Sequence, residues 1–406
     1  MKRVVVTGLG MINSVGHDAP SVFDAVINGE CGIDRITLFD PEALSVQIAG
    51  EVKNFDPKTV MDPKEVKKAD RFIQLGLKAA AEAMEDAGIG ADIERERFGI
   101  SAASGIGGLP TIERNSVTLH ERGSRRISPF FIPSALVNML GGFVSIAHEL
   151  KGPNLSSVTA CAAGTHAISE AAKTILLGGA DRMLVVGAES TISGIGVGGF
   201  AAMKALSTRN DDPKTASRPF DADRDGFIMG EGAGSLVLEE YEAAVARGAK
   251  IYGELIGFGE SGDANHITTP TMDGPLRAMK AAYAMAGEPQ IDYINAHGTS
   301  TPVNDKNETA AIKALLGSKE NCPPVTSTKG QMGHCLGAAG AIEAVISLMA
   351  MDRGIIPPTI NHQTPDENCD LDYVTEGARK AELNVVMSNS FGFGGTNGVV
   401  IFKKVD

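Results

Sequence analysis

The sequence predicts an α/β fold made of two β/α halves, residues 1–250 and 251–406. Three observations predict it. Short apolar strands alternate with stretches of helical apolar spacing, the pattern of largely parallel sheets covered by helices. The alternation begins afresh near residue 250. A small-residue helix start also recurs: Ser157-Val-Thr-Ala-Cys-Ala-Ala-Gly164 in the first half is echoed by Gly333-His-Cys-Leu-Gly-Ala-Ala-Gly340 in the second. That echo suggests an internal duplication, one half supplying a nucleophile and the other most of the remaining chemistry.

The elements follow in order. Residues 3–9 form a buried apolar strand. Residues 70–88 carry helical spacing and a glycine stop. Residues 98–103 read as a strand, and 155–160, 161–177 and 183–188 as strand, helix and strand. A strand at 234–240 and a short helix at 241–248 close the first half. The second half runs strand 251–259, helix 274–287, strand 291–295, helix 305–316, strand 324–328, helix 336–351 and late strands at 384–389 and 397–403.

Composition narrows the function. The 406 residues hold 43% hydrophobic and 21% charged residues, a globular balance. With 37 basic and 50 acidic residues the net charge is −13, and Trp is absent. An acidic chain with few aromatics has neither the field nor the stacking surface for nucleic acid. Five cysteines without a CxxC spacing fit a reducing compartment and no structural zinc. No run of about 18 apolar residues suggests a membrane span, so a soluble, cytoplasmic protein is expected.

Three motifs mislead. Gly8-Leu-Gly10 follows a strand, but position 13 is Asn where a dinucleotide fingerprint needs its third glycine. Asp221-Ala-Asp-Arg-Asp225-Gly226 starts like a calcium loop, yet its closing position, 232, is Gly. Gly392-Phe-Gly-Gly-Thr-Asn-Gly398 lacks the Lys-Ser/Thr of a phosphate loop.

The chemistry gathers elsewhere. Cys161 sits where a strand hands over to a helix of small residues. Free N–H groups and the helix dipole favour a thiolate there, with a pKa brought down to ~7.5 or lower. His297 follows a strand, at the carboxyl end where α/β sheets bind ligands. His334 lies at the second small-residue helix start, suited to donate a hydrogen bond as a neutral ring. Lys329, five residues earlier, and Glu343, a carboxylate in an apolar helix, would be explained by one buried ion pair.

This set resembles the β-ketoacyl-[acyl-carrier-protein] synthases, condensing enzymes of the thiolase superfamily, most of all those of type II fatty-acid synthesis. The resemblance covers nearly the whole chain. It rests on Val4-Val-Val-Thr-Gly-Leu-Gly10, Gly105-Ile-Gly-Gly108, Ile127-Ser-Pro-Phe-Phe-Ile-Pro133, Thr159-Ala-Cys161, Ala205-Leu-Ser-Thr-Arg-Asn210, Asn295-Ala-His-Gly-Thr-Ser-Thr-Pro302, Ser327-Thr-Lys329, Gly333-His334 and Asn389-Ser-Phe-Gly-Phe-Gly-Gly-Thr-Asn397. The sequence departs from the family's usual Thr-Gly-His at Met332-Gly-His334, and places Cys335 beside the histidine.

The resemblance implies a thiolase-like fold of duplicated βαβαβ halves, layered α/β/α/β/α, and a decarboxylative condensation of malonyl-acyl carrier protein with an acyl group held on Cys161. The N–H groups of Cys161 and Phe393 would form the oxyanion hole. His297 and His334 would stabilise the enolate, and Lys329, paired with Glu343, would orient His334. Ile106, Phe131, Thr191, Gly196 and Phe200 would line the acyl pocket, Phe131 reaching into a dimer partner's pocket. Phe391 is counted with the substrate-binding residues and Phe393 with the gate. Thr299 and Thr301 would bind a phosphopantetheine arm that arrives on the carrier protein, so no cofactor of the enzyme's own is expected. A monovalent cation near Asn295, Glu343, Ser388 and Asn389 is implied by analogy. An acidic carrier needs a basic island, for which Lys64, Lys67, Lys68 and Arg71 share a face, with Lys204 and Arg209 added by resemblance. A polyketide-type ketosynthase is the alternative with the same triad. A degradative thiolase would carry a second cysteine where Phe391-Gly-Phe393 stands, and a chain-length factor would lack Cys161.

Overall fold

The computed structural model describes residues 2–90 and 93–405. The first half contains β1 (Val4–Asn13), α1 (Arg71–Asp86), β2 (Phe98–Ala103), α2 (Met139–His148), β3 (Asn154–Ser157), α3 (Ala163–Leu176), β4 (Arg182–Glu189) and β5 (Gly232–Glu240). The second contains β6 (Gly253–Gly262), α4 (Asp273–Met285), β7 (Tyr293–Asn295), α5 (Pro302–Leu316), β8 (Val325–Thr326), α6 (Ala339–Arg353), β9 (Val385–Gly392) and β10 (Thr396–Lys403). Strand order is β3-β2-β4-β5-β1 in one half and β8-β7-β9-β10-β6 in the other. Adding five to each strand number of the first half gives the second. The senses repeat too: the last strand of each half runs antiparallel to both its neighbours, and the other pairings within each half are parallel.

The halves meet where β1 pairs with β6, at Val5–Glu254 and Val6–Gly253. Helices stack in layers about them. α1 and α2 cover the outer face of the first set of strands, α4 and α5 that of the second, and α3 and α6 lie between the two. A helix apolar on every side has to be enclosed, and α6 is buried from Ala339 through Met351. The two central helices cross on glycine. A Cβ on Gly164 would sit 2.6 Å from the Ala341 nitrogen, and one on Gly340 would sit 2.2 Å from Thr165 Oγ1. The five-layer arrangement implied by the resemblance is present, with the two sheets hydrogen-bonded at one edge.

Boundaries shift for local reasons. α1 begins one residue later than expected because Asp70 caps it, accepting from the Phe72 N–H at 3.3 Å. The helix expected from 161 starts at Ala163, since residues 160–162 form a tighter 3₁₀ turn. The second small-residue helix does the same, with a 3₁₀ turn over 336–338 before Ala339. Among the described residues seven α-helices were not foreseen from apolar spacing: Ala19–Ile27, Leu109–Arg122, Phe131–Ala135, Met139–His148, Gly194–Ala202, Pro213–Ala216 and Lys329–Met332. Six of the nine residues of Gly194–Ala202 are glycine or alanine, which leaves no clear apolar stripe to read.

Candidate active site

Cys161 lies in the turn between β3 and α3. The preceding Ala160 has φ +50°, a left-handed conformation unusual for a residue with a Cβ. This turn presents the sulfur to a cavity of about 290 Å³ whose walls include His297, His334, Thr299, Thr301, Phe200 and Phe393. The backbone N–H groups of Phe393 and of Cys161 itself lie close enough to the sulfur to favour its charged form. Gly392 permits this approach: a Cβ there would lie 3.1 Å from the Cys161 nitrogen.

The thiol corrects one expectation. Burial pushes Cys161 up to about 12, and Glu189 adds to the rise, while Lys329 and the two N–H groups pull the other way. Burial thus opposes the helix start at the sulfur, which is itself half-buried and open to the cavity. The two imidazoles meet edge to face, centroids 5.3 Å apart at 82°. Burial first, then the charge of Lys329, holds both far below the ordinary histidine range, so both rings are neutral. Each Nδ1 is buried without a partner, and the rings border the cavity.

The loop carrying His297 is held by two buried carboxylates that sequence reasoning missed. Glu308 accepts from the N–H groups of His297 and Gly298, both at 2.8 Å. Asp305 accepts from Thr299 at 3.0 Å and Ser300 at 3.1 Å. Both lie on one face of α5, three residues apart, and spacing alone does not separate such a pair from a solvated face. His334 is fixed through its backbone, donating to Ile228 O at 2.7 Å after Gly333 turns the chain at φ +78°.

Lys329 corrects a second expectation. Its Nζ donates to Glu343, completing the buried pair, but its other bond goes to the carbonyl of His297 at 2.5 Å. It therefore holds the first histidine; it reaches His334 only through its field. Met332, where the family usually has Thr, is buried and accepts from Asn13 Nδ2 at 3.5 Å through its sulfur. Cys335 packs in the central core, where burial pushes its thiol far up.

The remaining expected residues divide. Phe200, Thr299, Thr301, Lys204, Phe391 and Phe393 border the cavity. Ile106 packs with Phe200 in the apolar cluster against which Cys161 rests. Thr191 and Gly196 lie beside that cluster's Ile192 and Val197, away from the open cavity. Phe131 starts a short helix whose end packs against Gly107 and Gly108, just after Ile106, and is followed by Ile132, which is 57% exposed. Of the basic residues, Lys64 and Lys67 are exposed. Lys68 pairs with Glu65 and sits 5.2 Å above the Phe130 ring. Arg71 leaves the docking set: its guanidinium binds the fully buried Glu231 and the carbonyl of Val52. Arg209 donates to Asp223 O and faces Asp225 at 3.5 Å. Arg114 and Arg126, not foreseen, share a small surface cavity with Lys67.

The four oxygens implied for a cation are unpaired in the protein. Asn295 Oδ1, Glu343 Oε2, Ser388 Oγ and Asn389 Oδ1 are all buried without a hydrogen-bond partner. Asn295 pairs with Ser388 across β7 and β9. Four orphaned oxygens of hard, mostly neutral character suit a monovalent cation.

Comparison with known proteins agrees with this geometry. Residues 1–244 match the beta-ketoacyl synthase N-terminal domain and residues 252–363 its C-terminal domain. A 3-oxoacyl-[acyl-carrier-protein] synthase 2 of Vibrio cholerae is 50% identical, over 100% of this chain and 99% of its own. Among solved structures, a beta-ketoacyl synthase from Burkholderia phymatum superposes with a TM-score of 0.93 at 36% identity, and a type II PKS ketosynthase seen with its acyl-carrier protein and bound to the hexaketide does so with 0.91 at 32%, each over 100% of both chains. With both domains matched in order and relatives alike from end to end, the chain belongs to the β-ketoacyl synthase family.

Proposed function

We propose that the protein extends acyl chains in fatty-acid synthesis, condensing a Cys161-bound acyl group with malonyl-acyl carrier protein to give 3-oxoacyl-acyl carrier protein and CO₂. The observation that carries this reading is the convergence of one sulfur and two neutral imidazoles on one cavity. The 50% relative is named a 3-oxoacyl-[acyl-carrier-protein] synthase 2, whereas the polyketide ketosynthase stands at 32%, so the polyketide alternative has the weaker support.

In the first step Cys161 Sγ bonds to the acyl carbonyl carbon, the bond to the pantetheine sulfur breaks, and the thiol proton ends on that sulfur. The N–H groups of Cys161 and Phe393 hold the oxygen while it is negative, a donor of this kind being worth ~3 kcal/mol. In the second step the malonyl C–C bond to the carboxylate breaks and CO₂ leaves. The electron pair moves onto the thioester oxygen, where the ring N–H groups of His297 and His334 donate to it. Neutral donors suit an enolate because they stabilise it without protonating it. Its carbon attacks the acyl carbonyl, the C–S bond to Cys161 breaks, and the sulfur leaves as a thiolate that takes a proton from water.

Thr299 and Thr301, 2.9 Å apart on the cavity wall, would bind the phosphopantetheine arm that the carrier brings, and the enzyme needs no further cofactor for the bond-making steps. Asn295, Glu343, Ser388 and Asn389 would hold the monovalent cation and thereby fix β9 and α6. Lys64, Lys67, Lys68 and Lys204 would meet the acidic carrier, joined by Arg114 and Arg126. Arg209 is already engaged and would contribute through its residual field.

A homodimer follows from the open edge of β3, where Leu155 and Val158 are exposed and Ile146 of α2 is 78% exposed. An apolar open strand edge is a pairing surface, and twofold pairing there would turn Phe131 toward the partner. Among the described residues no helix is long and apolar enough to cross a membrane, in keeping with a cytoplasmic enzyme. The test is intact mass after addition of an acyl-carrier thioester. Wild type gains one acyl group and Cys161→Ala gains none; equal acylation of both proteins removes the proposed nucleophile.

A further inference from the structure

Outside the reacting groups, one histidine ties the nucleophile's turn to the opposite half of the molecule. His166 lies five residues past Cys161, on the first turn of α3. Its Nε2 is 3.0 Å from the carbonyl of Asn397 on β10. A carbonyl can only accept, so Nε2 carries a proton. The ring's other nitrogen, Nδ1, pairs with Thr159 Oγ1 at 2.7 Å. Thr159 is also gripped from the other side, its carbonyl accepting from Thr396 Oγ1 at 2.9 Å. The ring fits against β10 because position 398 is glycine: a Cβ there would lie 2.9 Å from its Cδ2.

Two of these three bonds, His166–Asn397 and Thr396–Thr159, run between the turn that holds Cys161 and the hairpin 391–397 that holds Phe393, and the third, Thr159–His166, ties their near ends together. We propose that His166 is a positioning residue, which through Thr159 and Asn397 sets the Phe393 N–H over the Cys161 sulfur and so shapes the oxyanion hole. The inference rests on the assignment of Cys161 as nucleophile and of the Phe393 N–H as oxyanion donor. Its physical content is that the two donors of the hole come from different halves. The Cys161 N–H moves with α3 and the Phe393 N–H with the hairpin, and only cross-links between the halves fix their separation. Misplacing one group by about 1 Å costs roughly 10²-fold in rate.

The test compares two reactions of the same sulfur. Self-acylation by an acyl thioester builds negative charge on an oxygen and needs both N–H groups; alkylation by iodoacetamide builds none. In His166→Leu, acylation is expected to fall about 10²-fold and at least about tenfold more than alkylation. His166→Gln, which can donate at one end and accept at the other, should recover part of the loss. Thr159→Val removes only the hydroxyl and keeps the side-chain volume, so it gives a smaller loss in the same direction even if His166→Leu folds poorly. Parallel losses of acylation and alkylation in Thr159→Val and His166→Gln, or no loss of either in all three variants, would overturn the inference. Wild-type protein that cannot be acylated on Cys161 would instead bring down the nucleophile assignment, and the positioning role with it.

Discussion

The Lys329–Glu343 pair offers the sharpest quantitative test, because both side chains are only 2% exposed. Lys329→Met keeps the aliphatic stem and removes the charge. Two groups lose their partner: the Glu343 carboxylate and the His297 carbonyl. An orphaned buried acceptor costs about 1–3 kcal/mol. An unpaired buried carboxylate costs about 3–5 kcal/mol, but it can escape by taking a proton. From an ordinary carboxyl value of about 4.5, neutralising it at pH 7 costs about 2.5 units at ~1.4 kcal/mol each, a ceiling near 3.4 kcal/mol. At pH 5 the same ceiling is about 0.7 kcal/mol. The sign follows from linkage. Burial already raises Glu343 to about 7 beside Lys329; in the variant nothing offsets it, so the folded state holds the proton more tightly still while the unfolded state has lost it, and stability falls as pH rises above about 4.5. Urea unfolding at pH 5 and pH 7 should therefore show a deficit of several kcal/mol at pH 7, about 4–6 at most, that is smaller at pH 5. Lys329→Met/Glu343→Gln should recover most of the pH-dependent part. Malonyl decarboxylation should stay low in both variants, since both lose the bond to His297. A deficit below about 1 kcal/mol at pH 7, or one independent of pH, would refute the account of a buried, mutually dependent pair.

Further outcomes follow from the same geometry. With the thiol pushed up to about 12, alkylation of Cys161 by iodoacetamide should quicken about tenfold per pH unit from pH 7 to 9; a plateau below pH 8 would mean a thiolate already formed. His297→Ala should still self-acylate while malonyl decarboxylation collapses by about 10²-fold or more, followed as CO₂ release; unimpaired release would deny the ring its role. Lys64→Glu/Lys67→Glu should raise KM for carrier-bound substrate, steeply at low salt, and leave turnover of a small acyl thioester unchanged; equal loss on both substrates would place the damage in the fold.

The sequence made the two-half plan legible because apolar periodicity changes sharply between strand and helix, and because Ala-Ala-Gly recurs at 162–164 and 338–340. Cys161, His297, His334 and Lys329 were legible as candidates because each sits at an element boundary, where side chains meet ligands. Direction of contact was not. Nothing in the spacing of Lys329 says whether it faces the loop before one histidine or the other; that depends on how β7 and α6 pack. The rise at the thiol was missed for a related reason: a helix start is visible in sequence, whereas the enclosure that opposes it is assembled from both halves. Arg71 looked like one of four surface cations because its partner, Glu231, lies 160 residues away.

The duplication also explains why only one half carries a nucleophile. Ala160 and Leu336 occupy the same place before the central helices, both left-handed at φ +50° and +45°, so Cys161 corresponds to Gly337. Each turn therefore offers a backbone N–H of the same kind. At Gly337 that N–H donates to the buried carboxylate of Glu189 at 3.0 Å, a carboxylate that also accepts from Ser104 Oγ and the Gly105 N–H. Glu189 stands near the end of β4, and the matching place on β9 is Gly392, each two residues beyond the position that pairs with a glycine of the antiparallel strand, Gly234 or Gly398. One half thus fills its anion-accepting turn with its own carboxylate. The other, lacking a side chain at Gly392, leaves the turn open beside a sulfur. The same backbone geometry serves as a structural clamp in one copy and, on the function proposed above, as a place for a substrate's developing charge in the other, and the residue that decides between them is the one on the neighbouring strand.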